Sequence, residues 1–313
     1  MEYRSLGATG LTVSEIGMGT WELGGREWGD ISEGDSIELL QYAFEKGVTL
    51  YDTSDQYGAG RSEKLLGQAF SGMEDKVVIA TKVGLPIETD GWISRGGKPP
   101  ELNTSRDYVM RAVEGSLKRL KRDILDVYQF HVPPSPEDWN EAFETMESLK
   151  SQEMIRFYGM CLGSAEQALK AIHETGISTM MLTYNIINQE MAEEVMAAAE
   201  EKGVGILGRQ PLASGLLTGR LRSDTVFAEN DYRKTFPREK FLEDLGKVDA
   251  VVDIVGDSVS SLPQAALKFI LAHSAVSGVV PGMMTPAEVD DNVVVSSEVG
   301  PLADDIIERL RDL

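Results

Sequence analysis

The stretch FEKGVTLYDTSDQYG, Phe44 to Gly58, runs from a helix-like end through one glycine into an apolar run that breaks off at an aspartate. Gly47 stands where a helix C-terminus favours a left-handed residue. The run behind it, Val48 to Asp52, is apolar on both faces, as a strand enclosed between helices must be. A carboxylate at the end of a buried strand is costly unless a partner meets it. Asp52 therefore implies a cation elsewhere in the chain.

The same unit recurs: HETG leads into ISTMMLTYN at Gly176, and EEKG into VGILGRQ at Gly203. The intervening helices are amphipathic. In SRDYVMRAVEGSLKRLKR, residues Val109, Ala112, Val113, Ser116, Leu117 and Leu120 recur at the spacing of one helical stripe. In SAEQALKAIHETG, Ser164 and Gln167 form a capping-box pattern and Gly176 a stop. Strand-like runs lie near 15–18, 48–53, 77–83, 124–131, 155–160, 179–185, 203–209 and 276–281. Eight such units fit a closed (β/α)8 TIM barrel better than an open doubly wound sheet, whose G-x-G-x-x-G fingerprint is absent after the first strand. The expected architecture is α/β, one domain over 1–313, with an extended loop between 217 and 262 and an added C-terminal helix in PLADDIIERLRDL.

Composition narrows the function classes. With 42% hydrophobic and 26% charged residues the chain reads as a soluble globular protein, and no apolar run is long enough for a bilayer. The start, MEYRSLGATG, has neither a basic nor an apolar signal region, so a cytoplasmic location is expected. A net charge of -21 opposes nucleic-acid binding. Cys161 is the one cysteine, and His131, His173 and His273 lie far apart, which argues against disulfides, redox chemistry and zinc; no metal site is expected.

In such a barrel the chemistry sits at the C-terminal strand ends. Three successive runs end in Asp52 with Tyr57 beyond it, in Lys82, and in His131. Neighbouring strands bring these four side chains to one side of the mouth, and Lys82 is the partner Asp52 requires. A phenol titrates near 10, so Tyr57 needs a cation beside it to act as an acid near neutrality. Lys82 supplies that cation, Asp52 orients it, and His131 is placed to donate to a substrate carbonyl oxygen. Each residue alone has an ordinary structural explanation; four titratable groups on three adjacent strand ends make a site.

Those residues, with GMGTW (Gly17 to Trp21), YDTSDQYGAGRSEKLLG, VIATKVG, QFHVP, PLASGLLTGR and VVPGMMTPAEVDDNV, resemble the aldo-keto reductases over nearly the whole chain. The likeness is nearest to the bacterial group with a long loop after LLTGR and a D-x-R element, here Asp231 to Arg233. The resemblance implies metal-free reduction of an aldehyde or ketone with NADPH or NADH, hydride passing from the nicotinamide while Tyr57 protonates the oxygen. It assigns the tetrad Asp52, Tyr57, Lys82 and His131, with Trp21, Tyr57 and His131 meeting the carbonyl substrate. Cofactor contacts fall on Gly19, Thr20, Trp21 and Asp52, on Arg209, Gln210, Pro211, Leu212, Ser214, Gly215 and Leu217, and on Gly282, Met284, Thr285, Glu288 and Asn292. Arg209 occupies the place where many relatives set an aromatic ring against the nicotinamide; a guanidinium plane stacks similarly.

The sequence also departs from the family. Cys161 and Leu162 stand where a Ser-Asn pair usually holds the carboxamide, and MMLTYN offers Thr183 and Asn185 but no Gln. Cys161 reads as a small buried hydrophobe. Trp21, Trp28 and Trp92 lie near strand ends and suit an apolar mouth. Met284 and Glu288 occupy positions where NADPH-preferring relatives carry a basic residue, which points to NADH being accepted at least comparably, unless Arg220 or Arg222 reaches the 2′-phosphate. Two other functions compete: a nicotinamide-binding regulatory subunit or redox sensor, against which the intact tetrad argues, and a metal-dependent barrel hydrolase using Asp52, Asp55 and His131, which lacks an H-x-H pair.

Overall fold

In a computed structural model of the chain, described over residues 1–25, 28, 31–87, 101–161, 164–189 and 192–313, an antiparallel hairpin comes first: β1 (Tyr3–Ser5) pairs with β2 (Thr12–Ser14). Eight parallel strands follow in sequence order: β3 (Met18–Gly19), β4 (Leu50–Asp52), β5 (Val78–Val83), β6 (Leu125–Phe130), β7 (Ile155–Cys161), β8 (Thr179–Thr183), β9 (Gly205–Arg209) and β10 (Val276–Val279). Seven of them coincide with runs read from the sequence, and β3 overlaps the run at 15–18 only at Met18. Single bridges from Ile16 to Val279 and from Gly19 to Gly282 join the first strand to the last and close the ring into a (β/α)8 barrel.

Helices α1 (Glu33–Glu45), α2 (Arg61–Ala69), α3 (Arg106–Leu120), α4 (Trp139–Ser151), α5 (Ala165–Glu174), α6 (Ala192–Lys202), α7 (Arg238–Val255) and α8 (Leu262–Leu271) lie between strands; α9 (Pro286–Ser297) and α10 (Asp304–Arg311) follow β10. Every residue of β5 and β6 is buried, because helices cover one face and the barrel interior the other. The stripe of α3 buries Val109, Val113, Ser116 and Leu120, and the Ser164 hydroxyl caps α5 by accepting the Gln167 N–H at 3.2 Å. No described helix is long and apolar enough to cross a membrane.

Three local expectations change. The span 217–262 is not all loop: Phe241, Val248, Val251 and Val255 recur at helical spacing and are the buried face of α7. Gly47 and Gly203 are left-handed, but Gly176 is not; there the missing side chain leaves room for the Tyr158 hydroxyl. The hairpin is an addition that the strand count omits. It plugs the base of the barrel, where Leu6 and Val13 join Leu50, Val78, Val127 and Leu207 in one buried cluster. Gly7, at φ +53°, sits so close to Gly203 and Gly205 that a Cβ would overlap their backbone. Truncating the plug, Leu6→Ala, is expected to cost about 2–5 kcal/mol, the usual range for a fully buried leucine. Urea unfolding checks this as a lower midpoint with an unchanged slope.

Candidate active site

The four predicted side chains meet at the C-terminal end of the barrel. Asp52 is the last residue of β4, Lys82 lies within β5, and His131 follows β6 directly, its N–H held by the Val83 carbonyl at 2.8 Å. Tyr57 stands in the turn after β4. That turn presses on the 22–24 turn because Gly58, at φ +60°, has no Cβ to strike the Gly24 carbonyl.

Lys82 organises the group. Its ammonium is 1% exposed and donates to three oxygens: Asp52 Oδ1 at 2.6 Å, the Thr53 carbonyl at 2.7 Å and Tyr57 Oη at 3.2 Å. Burial works against this cation, but Asp52 and Tyr57 beside it outweigh that, and it stays above the ordinary lysine range. The cation expected beside Tyr57 is thus in place. Its effect on the resting phenol is smaller than burial, however, and Tyr57 is pushed up to about 12. The hydroxyl is fully protonated at neutral pH, with the ammonium waiting to stabilise any charge that develops on it. His131 goes the other way: burial, then Lys82 and Arg209, hold its imidazole well below the usual range, so it is neutral. Its Nδ1 lies 3.2 Å from Ser54 Oγ.

Above the tetrad opens a cleft of about 770 Å³, lined at one end by Asp52, Tyr57 and His131 and at the other by Glu288, Asp291 and Asn292. One wall is aromatic. Trp21 stacks at 6.0 Å from Tyr57, and Trp21, Trp28 and Tyr232 pack on one another at 4.7 to 5.6 Å. Next to it runs a strap, residues 209–219, with positive φ at Gln210, Ala213, Ser214, Gly215 and Gly219. Backbone of this kind is costly for residues other than glycine and persists where the surroundings impose it. Here Tyr232 Oη meets Ser214 Oγ at 2.5 Å, and Arg233, paired with Asp231 at 2.6 Å, donates to the Ser214 carbonyl. The D-x-R element is therefore the latch of the strap.

Of the residues assigned to the cofactor, Gly19, Trp21, Asp52, Arg209, Gln210, Pro211, Leu212, Ser214, Gly215, Gly282, Met284, Glu288 and Asn292 line this cleft. Three do not. Thr20 is buried below it, its hydroxyl donating to the Asp52 carbonyl at 2.8 Å; Leu217 is core; Thr285 caps α9 by accepting the Glu288 N–H. Thr183 accepts from Arg209 Nε at 2.8 Å and Asn185 donates to the Gln210 carbonyl at 3.0 Å, so both fix the start of the strap. Cys161 is buried in the barrel interior, which pushes its thiol up to about 11. Leu162 and Trp92 lie outside the described residues. Among the described residues no three His, Cys, Asp or Glu side chains are grouped to hold a metal ion.

Sequence reading missed Gln56, Tyr232 and Glu22 in the lining. Tyr232 lies inside the D-x-R element itself, and Glu22 directly follows Trp21. Burial, with Glu288 and Asp52 nearby, pushes the Glu22 carboxyl up to about 7.

Residues 15–313 match the family model described as Aldo/keto reductase family. Aldo-keto reductase YhdN of Bacillus subtilis (strain 168) is 32% identical over 299 residues, which cover 93% of this chain and 87% of that protein. NADH-specific methylglyoxal reductase of Escherichia coli (strain K12) is 29% identical over 297 residues, covering 92% and 91%. The holo form of aldo-keto reductase AKR11C1 from Bacillus halodurans matches with a TM-score of 0.83 at 27% identity, covering 100% of this chain and 96% of that one; its apo form gives 0.74.

The Glu22 carboxyl carries a stability signature. Folding holds its pKa above the unfolded value of 4.5, so the neutral group favours the fold at low pH and that advantage is lost as pH rises through about 7. Glu22→Gln should match the parent in Tm near pH 4, gain on it steadily up to about pH 7 and keep a constant lead above. A thermal unfolding series across pH checks this; a lead independent of pH contradicts it.

Proposed function

The chain belongs to the aldo/keto reductase family, and on that premise we propose that it works as one unit, reducing a small aldehyde or ketone with a nicotinamide coenzyme and with Tyr57 as proton donor. The observation that carries this is the Lys82 ammonium, whose three hydrogens go to Asp52, Thr53 and the Tyr57 hydroxyl. The cleft suits an extended coenzyme: it runs from the tetrad past the strap to Asn292, and the chain is more similar to the holo form of its structural neighbour than to the apo form. The coenzyme supplies the hydride when bound. Tyr57 gives its proton to the carbonyl oxygen as negative charge develops there, and Lys82 faces the phenolate that remains. Asp52 keeps the ammonium charged and aimed. His131, neutral, donates its N–H to the same substrate oxygen, and Trp21, Trp28 and Tyr232 give the substrate an apolar wall.

Coenzyme choice follows from the far end of the cleft. Glu288 accepts from the Met284 N–H at 2.8 Å and from Arg220 at 3.2 Å, so the Arg220 guanidinium is already paired with a carboxylate. Arg222 donates to the backbone of Gly219 and Leu221. A 2′-phosphate has to compete for Arg220 beside Glu288, whereas ribose hydroxyls do not. The E. coli relative described as NADH-specific supports the same direction. We therefore assign NADH as a coenzyme accepted at least as well as NADPH, in a cytoplasmic enzyme.

Tyr57→Phe should keep coenzyme affinity and lose carbonyl reduction by roughly 10²–10⁴-fold, and Lys82→Met should behave alike. Steady-state rates with an aldehyde, beside coenzyme titration by fluorescence, check this; near-normal turnover in Tyr57→Phe removes it from the role of acid. For the coenzyme, kcat/KM measured with NADH and NADPH against one aldehyde should be comparable. A preference for NADPH above about a hundredfold, about 2.7 kcal/mol, would mean that Arg220 leaves Glu288 for the phosphate.

A further inference from the structure

A neutral imidazole carries one N–H, and only the Nε2–H form of His131 has a hydrogen to give a substrate oxygen, because Nδ1 is taken by Ser54. What decides between the two forms lies behind the cleft wall. Ser54 Oγ has three neighbours: the Gln56 N–H at 3.1 Å, His131 Nδ1 at 3.2 Å and Asp55 Oδ1 at 3.2 Å. The backbone N–H must donate, which leaves the hydroxyl one hydrogen for two partners. Were Asp55 an ionised carboxylate, it would take that hydrogen, and His131 would have to donate through Nδ1, leaving Nε2 bare. With a proton on Asp55, the acid donates to Ser54, Ser54 donates to Nδ1, and the imidazole N–H is on Nε2.

The surroundings of Asp55 favour the protonated form. The residue is fully buried, and its Oδ2 meets no hydrogen-bond partner among the described residues. Two tyrosines, Tyr108 from α3 and Tyr128 from β6, border it, and Glu63 from α2 places a second buried carboxylate nearby. The cation that acts on Asp55, Arg119 from α3, is engaged by Glu63 at 2.6 Å, and Thr81 from β5 donates to the other Glu63 oxygen at 2.6 Å. Burial first, and Glu63 second, lift Asp55 well above the usual carboxylate range, against Arg119, Ser54 and the Gln56 N–H.

We propose that Asp55 remains protonated in the working protein and, through Ser54, fixes His131 in the Nε2–H form, making Asp55 and Ser54 positioning residues for the carbonyl oxygen. This rests on the reading of His131 given above. The chain has only three histidines, so 15N-histidine labelling of the whole protein gives three imidazole spectra, and His131→Gln identifies one of them. Between pH 6 and 9 the His131 spectrum should show a neutral ring protonated at Nε2. Asp55→Asn, which replaces the acid by an uncharged donor of the same shape, should keep that pattern. Ser54→Ala, which removes the hydroxyl that donates to Nδ1, should bring in the Nδ1–H form and lower kcat by about tenfold or more, as loss of an oxyanion donor does, with coenzyme affinity unchanged. Asp55→Ala, with no carboxylate left to compete for the Ser54 hydrogen, should keep the Nε2–H form. A parent protein protonated at Nδ1 overturns the proposal, as does an Nε2–H pattern that survives Ser54→Ala, or its loss in Asp55→Asn or Asp55→Ala. Because the spectra are read on the protein alone, a chain without carbonyl turnover fails the functional reading and leaves the hydrogen-bond relay standing.

Discussion

A single buried ammonium sets the terms for the rest of the molecule. An uncompensated charge in a protein interior costs several kcal/mol, so Lys82 at the heart of the barrel mouth dictates where its acceptors must stand. Asp52 reaches it because β4 and β5 pair in parallel register, with Asp52 opposite Ala80. The Thr53 carbonyl reaches it because the Thr53 N–H is pinned by the Ala80 carbonyl at 2.9 Å. Thr20, between the first strand and the strap, holds the Asp52 carbonyl in turn. The bonds that keep the charge satisfied are the bonds that aim the Tyr57 hydroxyl. Stability and chemistry draw on the same few contacts.

Electrostatics around that point are balanced pair by pair. The chain carries a net charge of -21, and among the described residues the cations that line its cleft are Arg209, Arg220 and Arg233. Lys82 faces Asp52, Arg233 faces Asp231 and Arg220 faces Glu288. Arg209 is held by a threonine hydroxyl and makes no ion pair among the described residues. Its charge is felt instead by Asp52, Cys161 and His131, and helps keep the imidazole neutral. A dinucleotide bound as proposed above would rely on shape, backbone donors and stacking more than on a field that draws anions from a distance.

Much of this was legible in the sequence, for identifiable reasons. Strands enclosed on both faces must be apolar throughout, so eight runs announced themselves, and a titratable residue ending such a run is conspicuous because it breaks the pattern. Asp52, Lys82 and His131 were found that way. What escaped lacked a period or depended on depth. The three-residue strands of the hairpin are too short to show alternation. The pattern of α7 was present at Phe241, Val248, Val251 and Val255 but was read as part of a loop. Thr20, Leu217 and Thr285 sit inside matching motifs yet face away from the cleft, since one turn of backbone decides which neighbour faces inward. The net upward shift of Tyr57 and the environment of Asp55 follow from burial, and a sequence gives no measure of burial for one side chain.

The plugged base bears on how such a chain assembles. Residues 1–14 bond far along the sequence: Arg4 meets the carbonyls of Leu271 and Val276, the Glu2 N–H bonds Ser296, and Gly7 rests against Gly203 and Gly205. Contacts between chain ends carry a large loop-closure entropy before they give anything back. The hairpin has partners early in the sequence, at Thr49, Leu50 and Val78, and others beyond residue 200, so its seat on the barrel is complete only when both ends of the sheet are in place. Loss of the hairpin, or of Leu207 and Val280 that it shares a cluster with, removes one side of the same apolar floor.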